Sequence, residues 1–154
     1  MQLIRWLKKF YCNLILVAGP SLVLINMFAA PQPGLSRTTA RLGANLVLEL
    51  EVATTLDQQA LGLGFRTSLA PHAGMLFPCA AEQQCSFWGK NTFIPLDLVF
   101  VGPDHRIVKL TQIQPHDTVH VIGYSGAVAY VIEMNAGLAD KYQLTVGAPV
   151  ALKR

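Results

Sequence analysis

A series of short apolar runs, separated by turn residues, constrains the fold of this chain more than any other feature. In the first run, Leu46, Leu48 and Leu50 share one face while Glu49 and Glu51 lie on the other, which is typical of a half-buried strand. Further strands are predicted at 74–78, 86–93, 96–101, 106–113, 127–134 and 147–152, with Pro and Gly between them. The pattern predicts a mainly β domain, a compact barrel or sandwich of six to seven short strands.

Two short helices are expected within this β-rich domain. Thr55 precedes Gln58 by three residues, the spacing of a capping box, so a helix is predicted over residues 57–64. A second helix fits residues 136–144, where Asn135 is a suitable N-cap. The helical content is minor beside the strands.

The first thirty residues have the pattern of a signal peptide or an N-terminal membrane anchor. Three basic residues lie in the first ten positions, and an uncharged apolar run then extends from Leu14 to Ala30. A helix that begins at Phe10 is long enough to cross a bilayer. Phe28 and Met27 occupy positions where signal peptidase prefers small residues, so we favour an uncleaved transmembrane helix over residues 10–30.

This topology predicts where the rest of the chain lies. A basic flank held in the cytoplasm places residues 31–154 outside it, in the periplasm or another extracytoplasmic space. Residues 31–44 mix Pro, Gly, Ser and Thr and are predicted to be a linker, followed by a single β-rich domain over 45–154. An oxidising compartment permits a disulfide between Cys79 and Cys85, and their spacing lacks the C-x-x-C pattern of redox catalysts.

The charge distribution argues against nucleic acid as a partner. The chain has 12 Lys+Arg and 9 Asp+Glu. Arg5, Lys8 and Lys9 belong to the N-terminal flank, so 9 basic residues remain against the 9 acidic ones. A balanced domain lacks the basic field that binds phosphates.

Several segments carry a specific resemblance to a known family. The sequence reads GMLF at 74–77, SFWGKNTFIPLDLVFV at 86–101, LGLGFRTSL at 61–69, YVIEMNAG at 130–137 and VGAPV at 146–150. Over roughly residues 46–152 the chain resembles the bacterial and archaeal family called domain of unknown function 192. The resemblance implies a compact β-rich fold and no established activity. This chain departs from the family pattern at Gly64 and Gly89, where methionine is usual, and it lacks a cysteine pair that members often have within 115–125.

Polar residues between aromatic ones make the 87–97 string the candidate ligand-binding site. Strand alternation predicts Trp88, Lys90 and Thr92 on one face, with Asn91 on the other. Asp97 begins an apolar strand and, if buried, needs a partner such as Lys90 or Arg66. The candidate ligand-binding residues are therefore Arg66, Trp88, Lys90, Asn91, Thr92 and Asp97. The alternative is a structural polar network that holds the turn between two strands.

Other chemistry has weaker support in the sequence. His116 and His120 are four residues apart, but in a strand or loop this spacing is too long to share one metal ion. Glu133 and Asp97 form a carboxylate pair only if the fold brings them together. We therefore expect no metal and no cofactor.

The sequence leaves three functions open. We expect an exported or membrane-anchored domain of the cell envelope that binds a small polar ligand or an envelope protein at the Trp88–Asp97 region, without enzymatic activity. One alternative is a hydrolase acting on envelope material through Asp97 with Lys90 or a histidine. The other is a structural envelope accessory protein in which the string serves folding only.

Overall fold

A computed structural model describes residues 32, 34–80 and 85–153 of the chain. The predicted signal or anchor at 1–30 lies outside the described residues. In chain order the elements are β1 (Ser36–Leu42), β2 (Leu46–Val52), α1 (Leu56–Leu61), β3 (Ala73–Pro78), β4 (Leu96–Val101), β5 (Ile107–Ile113), β6 (Tyr130–Asn135), α2 (Leu138–Lys141) and β7 (Val150–Leu152). None of the helices in these ranges has the length and apolar character needed to cross a membrane.

The strands form one 7-stranded curled sheet in the order β5-β4-β6-β3-β2-β1-β7. The β2–β3 pair is parallel and the other pairs are antiparallel. An isolated bridge between Arg106 and Pro149 brings the start of β5 to the strand at the opposite end of the sheet. The prediction of a mainly β barrel or sandwich with two short helices is confirmed.

The curled sheet is buried on both faces. Inside the curl, a core of alternating residues includes Leu48, Val99 and Ile132. On the outer face, a second core includes Met75 and Phe100 and is covered by the loops that connect the strands. Because both faces are covered, every residue of β4 is buried.

Two segments differ from the sequence-based prediction. Residues 36–42, predicted to be part of a linker, form β1, which pairs with β2 along its whole length. This strand escaped prediction because its first residues are polar and its outward positions are exposed. Residues 86–93, predicted to be a strand, form only an isolated bridge between Phe87 and Ile122 before the chain turns at Lys90–Asn91. Asn91 has a φ of 61°, which no strand permits.

Both helices are short and differ in their caps. The capping box of α1 is present, with Gln58 N–H donating to Thr55 Oγ1 at 3.2 Å. The helix ends at Leu61, earlier than predicted, because Gly62 adopts a φ of 51°. Helix α2 begins after Gly137 rather than Asn135. The Asn135 side chain instead donates to the carbonyl oxygens of Leu69 and Ala70.

Candidate functional site

Three loops meet on the outer face of the sheet, and their backbones hold one another. The Phe65 N–H donates to the Asn91 carbonyl at 2.7 Å, and the His116 N–H donates to the Thr92 carbonyl at 3.1 Å. Phe65, Asn91 and His116 all have positive φ angles, of 62°, 61° and 61°. Non-glycine residues rarely adopt this conformation, and such residues cluster at functional sites. One strained residue therefore comes from each of the three loops.

Aromatic side chains cover this junction and remain partly exposed. The Phe65 and Phe93 rings meet edge to face at 6.0 Å between centroids, and Phe93 lies 5.2 Å from the His116 ring. Trp88 is 52% exposed, and the Lys90 ammonium lies 5.5 Å from its ring centroid. We call this set the loop surface: Phe65, Trp88, Lys90, Asn91, Phe93 and His116.

Gly89 allows two of these loops to approach closely. A Cβ atom at this position would collide with the backbone of Gln114 and Asp117. The main chain of the 114–117 segment therefore occupies the space into which any side chain at position 89 would project. Methionine is usual at this position in the family that the chain resembles. Here the position is glycine, and the backbones of the two loops are in direct contact.

The disulfide lies at the start of the loop that carries Trp88. Cys79 and Cys85 are bonded, with their Cα atoms 5.8 Å apart. The Cys79 N–H donates to the Ala129 carbonyl at 2.9 Å, which ties one end of the bridge to the segment before β6. The bridge thereby fixes the point from which the Trp88 loop leaves the sheet.

Beneath the loop surface, Arg66 forms a buried ion pair with Glu51. Its guanidinium donates to both carboxylate oxygens, at 2.8 Å from Nη1 to Oε1 and 2.7 Å from Nη2 to Oε2. Arg66 is 5% exposed and Glu51 8%. Arg66 was a candidate ligand-binding residue, but its donors are directed at Glu51. Sequence reasoning missed Glu51, because alternation alone does not show that a loop covers the second face of β2.

Glu133 lies in the same row across the sheet. Met75 of β3 pairs with Glu51 on one side and with Glu133 on the other. Burial raises the pKa of the Glu133 carboxyl to about 8, against the opposing effects of a hydrogen bond from the Leu63 backbone and the charge of Arg66. The carboxyl is therefore mostly protonated at neutral pH.

Asp97 lies on the opposite face of the sheet from Glu133. It pairs in register with Met134, whereas Glu133 pairs with Leu98. The hypothesis of an Asp97–Glu133 carboxylate pair is therefore wrong, because successive strand residues point to opposite faces.

Asp97 also has partners other than those expected. Its Oδ1 accepts from Gln112 Nε2 at 2.9 Å, and its Oδ2 accepts from the Ala139 N–H at 2.8 Å. The expected pairing with Lys90 or Arg66 is wrong, because Asp97 is held at the start of α2 and Arg66 by Glu51.

The structure thus divides the six candidate ligand-binding residues into two groups. Trp88, Lys90 and Asn91 are exposed on the loop surface. Thr92 is 6% exposed, so it does not share a face with Trp88 and Lys90, because the chain turns at Lys90–Asn91. Arg66, Thr92 and Asp97 are buried. Phe65, Phe93 and His116 join the surface instead, and loop geometry rather than strand periodicity places them there.

The two histidines do not share a site. His116 packs against Phe93, while His120 Nδ1 lies 2.8 Å from Asp117 Oδ2 on an exposed segment. Hydrogen bonds from the His120 backbone and side chain lower the pKa of Asp117. Over residues 32, 34–80 and 85–153, no group of three or more His, Cys, Asp or Glu side chains has the geometry of a metal site.

Comparison with known proteins places this geometry in a family. A protein of unknown function from Novosphingobium aromaticivorans is 32% identical, with a TM-score of 0.73 over 88% of this chain and 94% of its own. A Sinorhizobium meliloti protein described as a candidate transcription regulator is 30% identical, with a TM-score of 0.72 over 79% of this chain and 97% of its own. Among curated proteins none matches. The family model of DUF192, described as "Uncharacterized ACR", matches residues 38–152, and the chain belongs to that family.

Proposed function

We propose that this domain is a non-enzymatic binding module that takes a small polar ligand on the loop surface. The observation that carries the proposal is the convergence of three strained residues from three loops beneath exposed aromatic rings. Backbone strain persists only where the surrounding structure enforces it, and binding and switch sites are the usual places. The loops therefore hold a preformed surface.

The side chains of the loop surface suit a ligand with both a flat apolar face and polar edges. Trp88, Phe93 and Phe65 offer partly exposed rings, and aromatic rings stack on planar or cyclic ligands. Lys90, Asn91 and His116 provide hydrogen-bonding groups around them. An envelope protein that presents a polar loop is the second candidate occupant, because exposed aromatic residues are also common at protein interfaces.

The geometry gives less support to the hydrolase alternative. Such an enzyme needs an accessible acid or nucleophile beside the bound substrate. Asp97, the residue expected in that role, is 2% exposed with both oxygens hydrogen-bonded, and Glu133 is 6% exposed. A binding role requires neither carboxylate.

The envelope location is part of the proposal. It is supported by the basic flank and apolar run of residues 1–30 and by the Cys79–Cys85 bond, since disulfides persist in oxidising compartments.

A thermal-shift screen of the full chain in mild detergent tests the proposal. The screen covers sugars, nucleotides, peptides, metals and lipid headgroups, with wild type beside Trp88→Ala and the control Val146→Ala, whose side chain is 65% exposed before β7. We expect a sugar or nucleotide to raise the Tm of wild type and the control but not of Trp88→Ala. A compound that stabilises all three equally would contradict the site. A flat screen would contradict the small-ligand proposal and favour a protein partner.

A further inference from the structure

The domain begins closer to the predicted anchor than the linker prediction suggests. The Gln32 side chain donates from Nε2 to the Gly62 carbonyl at 2.7 Å, directly after helix α1. Leu35 packs against the outer core of the sheet. The chain therefore already contacts the folded domain at residue 32 rather than at residue 45.

This contact leaves a very short tether. The apolar run ends at Ala30, and two Cα–Cα steps separate it from Gln32. At about 3.8 Å per step, the two Cα atoms lie at most about 8 Å apart. If residues 10–30 cross the bilayer, Gly62, directly after α1, lies within a few residue lengths of the membrane surface.

The side chains at that end of the domain suit the membrane interface. Leu61 is 41% exposed and Phe65 37%, and both flank the segment that holds Gln32. Helix α1 also exposes Leu56, at 74%, and its only charged residue is Asp57. The free energy falls when apolar side chains leave water for the boundary between headgroups and acyl chains.

We propose that the C-terminal end of α1, with Leu61 and Phe65, lies against the surface of the lipid bilayer. The domain is then oriented by its own membrane anchor rather than tethered freely. Because Phe65 also belongs to the loop surface, this orientation places the loop surface at the membrane–water interface. The inference rests on the predicted anchor and on the Gln32–Gly62 contact, and it does not require the proposed ligand.

Tryptophan quenching in lipid vesicles tests this orientation on the full chain. The background is Trp6→Phe with Trp88→Phe, which removes both native tryptophans. Into it we would place Leu61→Trp or the control Val47→Trp, two positions that are each 41% exposed. Val47 pairs with Arg41 near the β1–β2 turn, roughly 16 Å along the hairpin from Ser36. Both proteins are reconstituted into phosphatidylcholine vesicles whose acyl chains carry bromine near the headgroup.

We expect brominated lipid to quench the Leu61→Trp protein at least twofold more strongly than the Val47→Trp protein. Equal quenching at the two positions, strong or weak, would overturn the orientation. Failure of the chain to float with the vesicles would overturn it as well, because the inference requires an uncleaved anchor. The ligand-induced Tm shifts of wild type and Trp88→Ala do not depend on how strongly brominated lipid quenches either tryptophan. Failure of one proposal is therefore distinguishable from failure of the other.

Discussion

At the scale of single side chains, three buried ionisable residues contribute strongly to the stability of this domain. Glu51 and Arg66 form a bidentate pair, and Glu133 lies two strands away from Glu51 in the same row. The loop that carries Arg66 also carries Phe65, so the ion pair beneath the loop surface helps to position the residue above it. A buried pair of this kind strongly penalises the loss of one partner.

Removal of the Arg66 charge should therefore destabilise the fold. We expect Arg66→Met to lower the free energy of unfolding by about 3–5 kcal/mol, because Glu51 loses its partner while buried. The double variant Glu51→Leu with Arg66→Met should recover a large part of this loss. Urea unfolding of the full chain in mild detergent measures both effects.

Lys90→Met is the matched control for that experiment. The Lys90 ammonium lies over an exposed Trp88 ring, where a cation–π contact contributes at most about 1 kcal/mol. A loss from Arg66→Met no larger than the loss from Lys90→Met would show that the ion pair does not anchor the loop.

Glu133 should make stability fall as the pH rises. Burial raises the pKa of the Glu133 carboxyl to about 8 in the folded state, whereas an exposed glutamate in the unfolded chain has the ordinary pKa of 4.5. Between these values the unfolded state binds fewer protons than the folded state, so each step up in pH favours unfolding. We expect the free energy of unfolding of wild type to fall by a few kcal/mol between pH 4.5 and 8. The size of this fall is set by the difference between the folded and unfolded pKa of Glu133.

The matched variant Glu133→Gln carries no ionisable proton at this position. Its urea-unfolding free energy should fall less steeply than that of wild type over the same pH range. Identical pH profiles for the two proteins would contradict the buried, protonated state of Glu133.

At the scale of elements, the loops rather than the strands carry the candidate site. The sequence pattern predicted β2 to β7 from apolar runs separated by turn residues, because strands that pack into the core require apolar side chains. It failed for residues 86–93, where three aromatic residues and Thr92 resemble a strand sequence although Asn91 has a left-handed backbone. Periodicity reports which face is buried in a regular element, so it could not predict that Phe65 and His116 would meet Phe93.

The disulfide should stabilise the domain through one of these loops. Cys79→Ser with Cys85→Ser should lower the free energy of unfolding by about 2 kcal/mol, because the bridge closes a small loop of the unfolded chain. Cys12→Ser is the matched control, since it removes the remaining cysteine. Thermal unfolding under non-reducing conditions measures both, and an equal Tm for the double variant and wild type would refute a stabilising bridge.

At the scale of the whole molecule, the curled sheet separates the inner core from the outer face, on which we propose the binding site. On the inner face, Asp97 holds the start of α2, which packs against the inner core, while the outer face carries the three loops. The sequence predicted the β-rich class and its two short helices. It could not predict β1 or the Arg106–Pro149 bridge, because a strand with polar first residues and a long-range pairing both leave little local pattern.

The most direct test of the loop surface compares one residue from each face. Isothermal titration uses the compound that raises the wild-type Tm most, with Phe93→Ala from the loop surface and Asp97→Asn from the inner face. We expect Phe93→Ala to weaken binding at least tenfold, as loss of an anchoring aromatic residue does, and Asp97→Asn to leave the Kd within a factor of two. The opposite result, with affinity lost in Asp97→Asn and retained in Phe93→Ala, would contradict the assignment of the binding site to the loop surface.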